Sequence, residues 1–125
     1  MSDKPLILCA DDDPDILALL ALRLEGAGFR VAQAVDGEQA LALTRELQPS
    51  VVVLDVMMPR LMGIEVVEAI RADPATHDLR VILVSARAQQ SDVEVGLTAG
   101  ADAYLAKPFQ ASELIELVQS LLGPR

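Results

Sequence analysis

Tryptophan is absent from this 125-residue chain, and Phe29, Tyr104 and Phe109 are its only aromatic residues. The core must therefore be aliphatic, and stacking on nucleic-acid bases or sugar rings has almost nothing to work with. Basic residues are scarce as well, with 10 Lys and Arg against 19 Asp and Glu, a formal net charge of −9. That balance repels a phosphate backbone, so proteins or cations are expected as partners and direct nucleic-acid contact is not. The single cysteine, Cys9, sits inside an apolar run. An internal disulfide is excluded, and a reducing compartment such as the cytoplasm fits. The apolar stretch at 6–10 is too short for the core of a signal peptide, and no run approaches the ~20 residues needed to span a bilayer. Membrane insertion is not expected. Low-complexity tracts, charge blocks, repeats and linkers are missing too, so residues 1–125 read as one domain with no output domain.

Short aliphatic or β-rich runs at 6–10, 30–34, 51–54, 81–84 and 103–106 alternate with helical periodicity near 15–27, 38–48, 64–72, 92–99 and 112–122. Gly28 and Gly100 follow helical stretches, Pro49 and Pro74 forbid continuation, and Pro14 after Asp13 suits a helix start with Asp13 as its cap. Val51-Val-Val-Leu and Val81-Ile-Leu-Val are almost wholly aliphatic, as strands covered on both faces must be. These five βα units predict an α/β fold: a five-stranded parallel sheet, doubly wound with five helices, in the flavodoxin-like order 2-1-3-4-5.

In such a sheet ligands bind beyond the carboxyl ends of the strands. Asp11-Asp12-Asp13 follows the first run, Asp55 the third, Ser85 the fourth and Lys107-Pro108 the fifth. Crowded carboxylates repel one another unless a cation lies between them, and an all-oxygen set suits a hard ion such as Mg²⁺. Asp55, ending the central strand, is the best nucleophile and can form an aspartyl phosphate. Lys107 can pair with a phosphoryl oxygen as a point charge, and the Ser85 hydroxyl can donate to another.

Ile7-Leu8-Cys9-Ala10-Asp11-Asp12-Asp13, Leu54-Asp55-Val56-Met57-Met58-Pro59 with Gly63, Val84-Ser85-Ala86, and Tyr104-Leu105-Ala106-Lys107-Pro108-Phe109 together resemble the response-regulator receiver domains of two-component signalling. The resemblance covers essentially the whole chain. It implies that Asp55 is the phosphoacceptor, Asp12 a direct metal ligand, Asp11 a ligand through water, and the Met57 carbonyl a further ligand of Mg²⁺. Ser85 and Lys107 would hold the phosphoryl oxygens, Tyr104 would be the switch aromatic, and the Lys107–Pro108 peptide would be cis. The implied donors are a sensor histidine kinase or a histidine phosphotransfer protein, which in this family dock on the first helix. The phosphorylated face would be read by a downstream protein or output domain that the sequence does not identify. Such a domain supports its own phosphorylation and dephosphorylation without being an enzyme in the ordinary sense.

On the first helix, Ile16, Leu19, Leu20 and Ala27 make a plausible core stripe, which leaves Leu17, Ala21, Leu22 and Leu24 to a second face. Leu17 or Leu22 is therefore expected to be exposed and available for docking. Two other functions suit parts of the pattern. An Mg²⁺-dependent phosphohydrolase with an aspartyl nucleophile would explain Asp11 and Asp13 but leaves the Asp55 segment unused. A receiver-like binding module that is never phosphorylated would be expected to lack the acceptor, the lysine or the acidic pair.

Overall fold

A computed structural model describes residues 4–123. Its elements are β1 (Leu6–Ala10), α1 (Pro14–Gly26), β2 (Arg30–Ala34), α2 (Gly37–Leu47), β3 (Val51–Asp55), α3 (Gly63–Ala72), β4 (Arg80–Ser85), α4 (Gln90–Ala99), β5 (Ala103–Ala106) and α5 (Ala111–Leu122). All strand pairs are parallel, in the order β2-β1-β3-β4-β5. The flavodoxin-like expectation is met. Strand alternation splits the core in two, because successive side chains face opposite sides of a sheet. Leu8, Val52, Leu54 and Leu83 pack with Val66, Val67 and Ile70 of α3 on one side. Ile7, Cys9, Val53 and Ile82 pack with α1 and α5 on the other. β3 is buried throughout, which explains its unbroken aliphatic run.

Asp13 caps α1 as its sequence suggests, its carboxylate accepting the Asp15 amide at 2.9 Å, with Pro14 in the first turn. The phase of α1 differs from the expected one. Leu17 is 1% exposed and packs inward with Leu20, Ala21 and Leu24, whereas Leu19 and Leu22 are 57% and 67% exposed. Of the expected stripe, Leu20 is buried and Ile16 packs against the same core, whereas Leu19 and Ala27 are exposed; Leu22 is exposed as expected, and Leu17 is unavailable for docking. The helix carries apolar residues at nearly every position from 16 to 22, so periodicity alone cannot fix its rotation. Packing against β1, β2 and α5 fixes it. Among the described residues no helix is long and apolar enough to cross a membrane.

At the pole where the strands begin, Arg71 of α3 ties three segments together. Its guanidinium donates to the carbonyls of Gly100 at 2.9 Å, His77 at 2.7 Å and Leu79, and pairs with Asp102 at 2.8 Å. Asp102 in turn accepts the Val81 amide at 2.7 Å, so the network braces the start of β4 and the α4–β5 turn. Arg71→Ala strands these acceptors and is expected to lower stability by about 2–3 kcal/mol. Urea unfolding checks this as a lower midpoint with an unchanged slope.

Candidate functional site

The parallel register assembles the site. β1 and β3 pair Ala10 with Leu54, so the next residues, Asp11 and Asp55, arrive side by side at the carboxyl edge. β4 and β5 pair Ser85 with Ala106, which brings Lys107 to the same edge. Asp55 and Ser85 are the last residues of their strands, one residue deeper in regular structure than the sequence spacing suggested.

Lys107 Nζ donates to Asp55 Oδ2 at 2.8 Å and to Asp11 Oδ2 at 3.0 Å. One carboxylate oxygen from each of Asp11, Asp12 and Asp55 lies within 4.8 Å of the others. Asp11 and Asp55 are buried, Asp12 is exposed, and the cluster contains no imidazole or thiol. An oxygen-only donor set of this charge fits a hard divalent cation. Burial pushes the Asp55 carboxyl above its ordinary pKa, against the hydrogen bonds from Lys107 and the Met57 amide, and the Asp11 charge pushes the same way. Burial alone would lower Lys107, but its bonds to the two carboxylates outweigh that and hold it above its ordinary value. One ammonium serves two buried carboxylates.

Backbone groups complete the pocket. The Met57 amide donates to Asp55 Oδ1 at 3.1 Å, which ties the residue to the cluster although its side chain is exposed. Gly63 opens α3 directly on Asp55, where an added Cβ would lie 2.5 Å from the Asp55 carbonyl oxygen. The Lys107–Pro108 peptide is cis. Ser85 is buried, and its Oγ accepts the Arg87 amide at 3.0 Å. Tyr104 packs its ring against Gly96 and donates its hydroxyl to the Arg87 carbonyl. Ser85 and Tyr104 thus hold the two sides of one residue. Sequence reasoning missed Arg87 because it takes part through backbone groups that any residue carries. It also missed a hollow of about 350 Å³ lined by Ile16, Leu19, Leu20, Lys107, Pro108 and Phe109 beside the site.

Fold and site together define a doubly wound α/β protein with an acidic, lysine-bridged pocket at its carboxyl edge. The Response regulator receiver domain model matches residues 7–119, and the chain belongs to that family. Its members are phosphoacceptor switches of two-component systems rather than conventional enzymes, which leaves the phosphohydrolase alternative without support. The chain is 43% identical over 118 residues to the DNA-binding dual master transcriptional regulator RpaA of Synechocystis, covering 94% of this chain and 49% of that protein. It superposes on a putative response regulator from Chloroflexus aurantiacus with a TM-score of 0.91 at 34% identity, covering 98% of this chain and 100% of the other. It also resembles the receiver domain of the sensor histidine kinase PA1611 from Pseudomonas aeruginosa, with a TM-score of 0.88 at 31% identity and coverage of 97% and 99%. That structure has a magnesium ion coordinated in its active-site cleft.

The chain spans about half the length of the curated relatives it matches. RpaA, of which the chain spans about half, is named as DNA-binding, whereas the expectation of no direct nucleic-acid contact is drawn from these residues. The acidic balance behind that expectation describes these 125 residues alone.

Because burial and Asp11 favour the neutral form of Asp55 in the fold, its ionised carboxylate costs stability once pH rises above the carboxylate range. Asp55→Asn carries no such charge. In chelator near neutral pH it is expected to melt at a higher temperature than the parent, and the gap should narrow as the pH falls and Asp55 is protonated.

Proposed function

We propose that Asp55 accepts a phosphoryl group from a phosphohistidine of a sensor histidine kinase or histidine phosphotransfer protein in the cytoplasm. The observation that carries this reading is Lys107 bridging Asp55 and Asp11 within a cluster of three carboxylates. An Asp55 carboxylate oxygen attacks phosphorus in line; the new O–P bond forms as the P–N bond breaks, and its electron pair returns to the histidine ring. Lys107 turns from Asp55 Oδ2 to a phosphoryl oxygen, and the Ser85 hydroxyl donates to another. Asp12, Asp55 and the Met57 carbonyl, with Asp11 through water, would hold Mg²⁺, which would supply positive charge to offset the crowded carboxylates and the incoming group. Attack of water on the same phosphorus releases phosphate and restores Asp55.

Readout begins at Ser85. Its Oγ holds the Arg87 amide while Tyr104 holds the Arg87 carbonyl, so drawing the Ser85 hydroxyl toward a phosphoryl group disturbs both grips on the β4–α4 loop. Among the described residues of α4 only Gly96 is fully buried, so this helix has little packing to resist displacement. A downstream partner or output domain would read the face of α4, β5 and α5. Comparing parent and Ser85→Ala by NMR with and without beryllofluoride checks the link. Coupled shifts at Tyr104 and 87–100 in the parent, weakened in the variant, are expected, and shifts confined to the acidic pocket would oppose it.

Acceptance itself is tested with acetyl phosphate. One acid-stable, base-labile phosphoryl group per chain is expected with Mg²⁺, none in Asp55→Asn, and strongly reduced labelling in chelator or in Asp12→Ala. For docking, exposed Leu22 takes the role that buried Leu17 cannot, one turn from exposed Leu19, which lines the hollow at Phe109. Leu22→Lys is expected to slow transfer from a phosphorylated partner while acetyl phosphate labelling stays normal. Equal slowing of both reactions would count against docking through α1.

A further inference from the structure

The loop from Asp55 to Gly63 carries both the acceptor and Met57, and it contains an unfavourable turn. Arg60 has a φ of +73°, and the Leu61 amide donates back to the Pro59 carbonyl at 2.8 Å. These are the marks of the rare γ-turn with positive φ, a conformation that costs energy for a side chain such as arginine. Such a turn persists only where its surroundings hold it. The surroundings here are the first residues of α2, an element that contributes nothing to the acidic cluster.

Three contacts make the brace. The Gly37 amide donates to the Pro59 carbonyl at 3.2 Å, so that one oxygen is held from both sides of the turn. Asp36, whose Oδ1 caps α2 by accepting the Gln39 amide at 2.7 Å, faces Arg60 Nε with Oδ2 at 3.5 Å. Leu61 lies on Gly37 so closely that a Cβ there would be 2.0 Å from the Leu61 carbonyl oxygen and 2.5 Å from its Cβ. Gly37 does not have a positive φ. Space alone demands glycine at this position.

Resting on the phosphoacceptor reading, we propose that Gly37 is a positioning residue that braces the β3–α3 loop from α2 and thereby sets the Met57 backbone and the Asp55 carboxylate. Displacement of Pro59–Leu61 strains the Val56–Met57 peptide, on which both ends of the loop bear. The carbonyl of that peptide accepts the Gly63 amide at 2.9 Å, and Gly63 itself abuts Asp55, so a shifted loop pulls on the same peptide that carries the Met57 N–H. The Met57 amide holds Asp55 Oδ1, so the acceptor loses its orientation when that amide turns.

The experiment compares Gly37→Ala with Gly26→Ala, where an added Cβ meets nothing within 4 Å. In Gly37→Ala shown to be folded by circular dichroism, Mg²⁺-dependent labelling by acetyl phosphate is expected to slow between about tenfold and a hundredfold. The amide resonances of Asp55, Met57 and Leu61 should shift before any metal is added, a change that a uniform loss of stability would not produce. Adding Leu61→Gly, which removes the opposing Cβ and frees the peptide, should recover much of the rate. Gly26→Ala should match the parent in both measurements. Parental labelling and unshifted Asp55 and Met57 resonances in Gly37→Ala would overturn the proposal. Should Gly37→Ala not fold, Asp36→Asn decides: it keeps the cap but loses the charge on Arg60, and unchanged loop resonances would refute the brace. A parent that is not labelled at all would defeat the phosphoacceptor reading instead, and the metal-free shifts would still test the brace.

Discussion

The structure turns on one electrostatic conflict, the crowding of Asp11, Asp12 and Asp55 at the carboxyl edge of the sheet against a single bridging Lys107. Two of these carboxylates are buried, where an uncompensated charge is costly. A chain optimised for stability alone would not keep the cluster. The lysine relieves part of the conflict, and a hard cation would relieve more and would also offset the charge of an incoming phosphoryl group.

The rest of the fold holds that conflict in place. A parallel sheet sends all its carboxyl ends to one edge, so residues as far apart as 11 and 107 meet there without a local motif. Hydrophobic layers on both faces bury β3 throughout, and with it Asp55. Packing is thinner around α4. The β4–α4 loop hangs on Ser85 and Tyr104, and α4 buries little, whereas Arg71 pins its far end through Gly100 and Asp102. A disturbance at Ser85 therefore meets a helix that is loose at its start and tied at its end.

Most of this could be read before any coordinates. Strands buried on both faces announce themselves as aliphatic runs, and chemistry at a parallel sheet edge announces itself as polar residues after those runs. The phase of α1 was not legible, since Leu17, Leu19, Leu20 and Leu22 look alike until α5 and the sheet choose among them. Backbone roles were equally silent. The resemblance pointed to the Met57 carbonyl and not to its amide, and the peptide of Arg87 and the close approach of Gly37 to Leu61 carry no side-chain signature.

The central claim, that Asp55 and neither neighbouring aspartate bears the phosphoryl group, is tested most directly by chemical trapping. Borohydride reduces an aspartyl phosphate to homoserine, and peptide mass spectrometry then locates the converted residue. The account predicts homoserine at position 55 alone in protein phosphorylated with Mg²⁺. Conversion at position 11 or 12, or no conversion in protein that carries phosphate, would contradict it.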